Sequence, residues 1–360
     1  MSERRHLLLT ADAVGGVWQY SVDLAAALAP YGYEVTLALL GPAASAAQRD
    51  KAAAIGSLRL IDTGLDLEWL AESPAAILAA EQRLAELAGD CRADLVQLHS
   101  PALVSRGLYR CPIVAVLHSC VASWWAAVRS GPMPADFGWR TALVAQGLAR
   151  ATLAVAPSAA FAEVARRHYG VAPVAVHNGR SLASAPAPMH DFVFTAGRLW
   201  DEGKNLRTLD AAAARIAVPF LAAGPTRAPH GEAVAFDTLS LQGTLDEVAL
   251  ARQLGARPIF ASAALYEPFG LSVLEAAQAG CALVLSDIPT FRELWEDAAT
   301  FVDPRDAAGF AEAINALVAD PAARIEAGNR AARRAARYTP AAMASRMAGL
   351  YARLQKRAAA

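Results

Sequence analysis

The sequence predicts an α/β protein built from two similar units, on three observations. Short apolar runs alternate with helix-patterned stretches along most of the chain, as in successive βαβ units around a parallel sheet. One segment rich in proline, serine and alanine interrupts the alternation near the middle, after which it resumes. The chain has 360 residues, 55% hydrophobic and 19% charged. That suits two packed cores at roughly 100–200 residues per domain and is too apolar for long disorder.

The elements follow in order. In the first half, His6–Thr10, Glu34–Leu39, Asp94–Leu98, Ile113–Leu117, Thr152–Val155 and Val174–Val176 read as strands. They are apolar on both faces, as a doubly covered parallel sheet requires. Val17–Ala29 and Pro74–Ala88 carry helical patterns between them. Asn178–Asp191 has no apolar period and reads as an interdomain linker. Beyond it, Asp191–Thr195, Val218–Ala222, Pro258–Ala261, Ala282–Leu285 and Thr300–Val302 are the next strands. Helices are expected over Asp306–Ala319, Pro321–Ala336 and Pro340–Arg357. A cleft between the two units is the expected ligand site.

Composition excludes several classes. Thirty-three basic residues oppose 34 acidic ones, a net charge of −1, so a dedicated nucleic-acid binder is not expected. No run of about 18 residues is both apolar and uncharged, and no Lys/Arg-rich amphipathic helix stands out, so membrane contact is expected to be peripheral at most. The N-terminus lacks the apolar core of a signal peptide. Cys91, Cys111, Cys120 and Cys281 are scattered without a CxxC pair, which argues against zinc and for buried, reduced thiols of a cytoplasmic protein.

Four constellations could carry chemistry. Gly15 and Gly16 lie between the first strand and the first helix. Adjacent glycines let a backbone approach a ligand, and a helix N-terminus favours an anion; the other reading is an ordinary βα turn. Arg198 and Lys204 stand in the loop after the first strand of the second half, the sheet edge where ligands of open α/β sheets bind. Together they could neutralise a diphosphate, or they are surface charges. Glu267 and Glu275 straddle a Pro/Gly turn and a helix start. There the amides of Leu271, Ser272 and Val273 are candidate phosphate donors, and Glu275 could accept ribose hydroxyls. Ser272-x-x-Glu275 also has capping-box spacing, as does Thr290-x-x-Glu293. Finally, His99 and His118 each end an apolar strand, a placement that suits a site. Trp124 and Trp125 follow closely and could stack on a sugar or simply pack.

In this order, the Gly-Gly loop, VHNGR, GRL…KN and EPFGLSVLEAAQAGCALVLSDIPTFREL resemble the retaining glycosyltransferases of family 4 over nearly the whole chain. The resemblance implies a GT-B fold, with two Rossmann-like doubly wound domains facing across a cleft. Residues 1–180 would bind the acceptor and 191–339 the nucleotide-sugar donor, with the 340–360 helix packing back on the first domain. It implies that Arg198 and Lys204 grip the donor diphosphate together with Leu271, Ser272 and Val273. Glu275 would bind ribose, Glu267 would lie near the sugar hydroxyls, and Gly15 and Gly16 would face the diphosphate or acceptor. His118 would sit beside the reacting sugar, with His99 on the acceptor side. The expected reaction is sugar transfer from a nucleoside diphosphate sugar, with UDP as the prior, to a hydroxyl of a glycan, glycolipid or small molecule. No cofactor or metal is expected, since no DxD-type pair stands at a suitable place. The alternatives are a nucleotide-sugar epimerase, a sugar phosphorylase, or a non-catalytic nucleotide-sugar-binding protein. Two features depart from the family: no proline precedes His177-Asn178-Gly179, and the loop after Gly224 is unusual, leaving the base open.

Overall fold

A computed structural model describes residues 4–182, 187–229 and 231–358. The chain divides into two compact units, Met1–Gly179 with Pro340–Ala360, and Arg180–Thr339. Residues 183–186 of the expected linker, and His230, lie outside the described residues.

In the first unit the strands are β1 (Arg5–Asp12), β2 (Tyr33–Leu40), β3 (Leu58–Asp62), β4 (Leu95–Leu98), β5 (Ile113–Val116), β6 (Leu153–Ala156) and β7 (Val174–Ala175). The helices are α1 (Gly16–Leu28), α2 (Ala46–Ala53), α3 (Pro74–Asp90), α4 (Val121–Val128), α5 (Gly138–Arg150), α6 (Ala159–Tyr169) and, from the chain end, α13 (Pro340–Ala358). The sheet is parallel in the order β3-β2-β1-β4-β5-β6-β7. The order reverses between β1 and β4, which opens a crevice at their carboxyl ends. Leu7 and Leu9 of β1 pack with α1 and with Met343, Met347 and Tyr351 of α13 in one core cluster.

The second unit contains β8 (Val193–Ala196), β9 (Phe220–Ala223), β10 (Ser240–Leu241), β11 (Ile259–Ser262), β12 (Ala282–Ser286) and β13 (Thr300–Val302). Its helices are α7 (Leu206–Ala213), α8 (Glu247–Gly255), α9 (Leu271–Gln278), α10 (Pro289–Trp295), α11 (Ala307–Ala319) and α12 (Pro321–Ala335). The sheet order β10-β9-β8-β11-β12-β13 again reverses beside its first strand, between β8 and β11. Side chains alternate between two cores, as the strand period of two demands. Phe194, Phe260, Leu283 and Leu285 join α9, while Val193, Ile259, Ala261 and Val284 join α7 and α11. Both faces are covered, which is why these strands read as unbroken apolar runs.

The boundary between the units falls within the expected linker Asn178–Asp191, whose described part is hydrogen-bonded to the second unit. Arg180 N–H donates to Tyr338 O, Leu182 N–H to Gln278 Oε1, and Ala187 and His190 N–H to the carbonyls of Gly255 and Ala256. The strands β3 and β10 were missed. Cys120 and Cys281 are buried, but Cys91 and Cys111 are only partly so.

Candidate functional site

In the second unit the loop after β8 is anchored to its neighbours by backbone. Gly203 O accepts N–H groups of Leu265 and Tyr266 in the loop after β11, at 2.9 and 3.2 Å. Asn205, with φ of 54°, uses Nδ2 to donate to Ala263 O (3.0 Å) and Pro304 O (2.6 Å). At Gly224, φ is 137° and a Cβ would fall 1.7 Å from Gly197 O, so only glycine allows the β9 end to approach this loop. The loops after β8 and β11 therefore form one surface at the switch point.

On that surface Lys204 is ion-paired with Glu267, their side chains 22% and 12% exposed. Gly270 caps α9 with φ of 91°, and a Cβ there would lie 3.3 Å from Glu267 Cγ. Lys204, Glu267 and the helix start are thus contiguous. Leu271, Ser272 and Val273 occupy the first turn of α9, and no side chain caps it. The capping-box reading of Ser272 is therefore corrected: the cap is Gly270, two residues earlier. Thr290 likewise falls inside α10, whose cap is Ile288. Arg198 donates from Nη2 to Asp201 Oδ2 at 2.9 Å, and its guanidinium lies 5.5 Å from the centre of the Trp200 ring. Being 43% exposed, it can still reach a ligand. Glu275 is buried in α9 and accepts from Arg180 Nε at 2.8 Å. Arg180 Nη2 also donates to Glu247 Oε1 at 2.8 Å. The charged groups could hold an anion beside the helix N-terminus, with a carboxylate one turn further on.

In the first unit Gly15 and Gly16 are exposed at the start of α1, and a Cβ on Gly15 would meet nothing within 4 Å. Asp12 Oδ1 accepts Val14 N–H at 2.9 Å and shapes the turn. Tyr20, His99 and His118 stack edge-on, with ring centroids 4.7 to 5.1 Å apart. The Tyr351 hydroxyl of α13 donates to Gln97 Oε1. That fixes the amide so that Gln97 Nε2 donates to His99 Nε2 at 2.9 Å. His99 Nδ1 then carries the proton and donates to Ser21 Oγ at 3.2 Å, while Ser21 donates to Val17 O. Both His99 nitrogens have partners within the unit, and its ring packs edge-on against His118. His118 Nε2 is buried with no protein partner. Burial lowers the His118 pKa to about 4. The His99 pKa is pushed well below 6.5, first by burial and then by His118.

Sequence reading missed Arg180, Gln97 and Tyr351, whose partners lie far along the chain. It also missed Glu68, whose pKa burial lifts to about 7 against the pull of Arg140. Trp124 and Trp125 are half-buried side by side, with Arg129 near both rings and Phe137 against Trp125. Among the described residues no cluster of three or more His, Cys, Asp or Glu could hold a metal ion.

Comparison with known proteins gives consistent matches. Residues 14–183 match the family model described as Glycosyltransferase Family 4, and residues 190–320 match that described as Glycosyl transferases group 1. A glycogen synthase of Mycobacterium tuberculosis is 26% identical over 356 residues, covering 86% of this chain and 84% of its own. The sucrose-phosphate synthase of Thermosynechococcus elongatus superposes with a TM-score of 0.78 at 20% identity, covering 98% of this chain and 99% of its own. Anabaena HepE, solved with UDP and glucose, gives 0.73 at 17%, covering 98% and 100%.

Proposed function

Because the chain belongs to the group 1 glycosyltransferases of family 4, with the two parallel-sheet α/β units of the GT-B fold, we propose that it is a retaining, metal-independent enzyme that moves a sugar from a nucleoside diphosphate sugar to an acceptor hydroxyl. The donor in this proposal is a UDP-sugar, in line with the UDP and glucose held by Anabaena HepE. The observation that carries the reading is the contiguity of Lys204, Glu267 and the uncapped start of α9 at the β8–β11 switch point.

Breaking the anomeric C–O bond leaves extra negative charge on the diphosphate. Lys204, Arg198 and the amides of Leu271, Ser272 and Val273 would stabilise that charge in the transition state. Lys204 would exchange part of its Glu267 contact for a phosphate oxygen, and Glu267 would then accept hydroxyls of the sugar. The leaving phosphate oxygen would take the acceptor proton on the face it departs from, which retains configuration without a side-chain base. His118, neutral at physiological pH because it is buried, would hydrogen-bond the reacting sugar. Gly15 and Gly16 would let the α1 start approach the diphosphate or acceptor. These cationic groups supply the role a divalent ion plays elsewhere, so chelator is expected to leave turnover unchanged.

The test is transfer and donor hydrolysis by Lys204→Ala, with products resolved so that epimer or sugar phosphate would be seen. Turnover should fall on the order of 10²–10³-fold, by analogy with loss of one oxyanion donor. Near wild-type turnover in that variant would contradict the assignment.

A further inference from the structure

Arg180 is the first residue of the second unit, and its side chain is only 4% exposed. A buried guanidinium is costly unless its donors are matched. Here Nε meets Glu275 Oε1 and Nη2 meets Glu247 Oε1, both at 2.8 Å. The backbone around it is also fixed. Arg180 N–H donates to Tyr338 O at 3.1 Å, and Arg180 O accepts from Gln278 Nε2 at 2.6 Å. Gln278 lies in α9, one turn beyond Glu275. The segment entering the unit is therefore bound to the helix that carries Glu275 by two hydrogen bonds between its backbone and Gln278, from Gln278 Nε2 to Arg180 O and from Leu182 N–H to Gln278 Oε1, and by one ion pair.

We propose that Arg180 is the positioning residue for nucleotide ribose recognition, holding the Glu275 carboxylate in the rotamer that accepts the 2′- and 3′-hydroxyls. The inference rests on the reading of Glu275 as the ribose acceptor. A carboxylate accepts up to about four hydrogen bonds, so an arginine and a pair of hydroxyls can share it. Two hydroxyl donors need the carboxylate fixed in direction. A buried glutamate without its cation would instead take up a proton or turn away. Glu247, 45% exposed, gives the same guanidinium a second anchor on α8 and keeps its plane from following Glu275.

The experiment compares a nucleoside diphosphate with its 2′-deoxy analogue by calorimetric titration. UDP, GDP and ADP are tried first, and whichever binds most tightly is used with its deoxy form. Wild type should prefer the ribose form by about 10-fold or more, the scale of a hydrogen bond to a charged group. In Arg180→Gln the preference should fall to within about 2-fold, with the ribose form weakened and the deoxy form little changed. A merely structural arginine would weaken both forms alike. Arg180→Lys keeps the charge but loses the fork; it should fold where the glutamine variant does not, and should show an intermediate preference. A wild-type preference that persists in the folded variants overturns the positioning role while leaving Glu275 as the ribose acceptor. Absence of any preference in wild type overturns that reading of Glu275 itself.

Discussion

At the scale of single residues, the buried titratable groups of the first unit make its stability depend on pH in two opposed ways. His118 has a folded pKa of about 4 against 6.5. Between pH 6.5 and 4 the unfolded chain binds more protons, so stability falls as pH falls through that window; His99 shifts in the same direction. Glu68 does the reverse. Its folded pKa is about 7 against 4.5, so the native state holds the proton, and this stabilisation is lost as pH rises from 4.5 to 7. Thermal melts at a series of pH values should separate the two. The two contributions offset each other between pH 4.5 and 6.5, so His118→Phe should reduce the rise of stability with pH and Glu68→Gln should make it steeper. Unchanged slopes in both variants would contradict the burial of these groups. None of this was visible in the sequence, which placed His99 and His118 at strand ends but could not show their stacking on Tyr20. The proton position on His99 is settled only by Gln97 and Tyr351, 254 residues apart.

At the scale of elements, most strands and helices were legible because each is apolar at the period of its own geometry. The failures have physical causes. The β3 strand sits at a sheet edge, with its five residues exposed or half-buried, so no apolar run marked it. The β10 strand has two exposed residues and no pattern at all. Ser272 and Thr290 match the spacing of a cap, but a left-handed Gly270 and an extended Ile288 begin those helices. The hydrogen bonds that fix the Pro/Ser/Ala-rich linker go to residues distant in sequence and leave no local pattern. The α13 helix yields a prediction. Met343, Met347, Tyr351 and Leu354 are buried in the core of the first unit with β1, β2 and α1, each contributing about 1.5–3 kcal/mol by burial. A chain ending at Thr339 should therefore lose the thermal transition of the first unit, or show it at much lower temperature, and bind a hydrophobic dye. Calorimetry with an unaltered first transition would contradict that packing.

At the scale of the whole molecule, both units use one solution, a parallel sheet whose order reverses beside its first strand. In each, the candidate chemistry lies at that reversal: Gly15, Gly16 and His99 in the first unit, Arg198, Lys204 and Glu267 in the second. No helix among the described residues is long and apolar enough to cross a membrane. The sequence made the second site legible as a set of residue types at the right sheet edge. It did not reveal that Lys204 and Glu267 are partners, or that Glu275 is held by Arg180, because pairing across 63 and 95 residues leaves no local periodicity. The central claim is that the β8–β11 surface seats a diphosphate. Its most direct test is calorimetric titration of wild type and Lys204→Ala with UDP and with uridine, repeated with GDP and ADP and their nucleosides. The expected result is that Lys204→Ala weakens the diphosphate by about 10-fold or more, as loss of a charged hydrogen-bond donor implies, and leaves the nucleoside unchanged. Equal diphosphate affinity in the two proteins would contradict it.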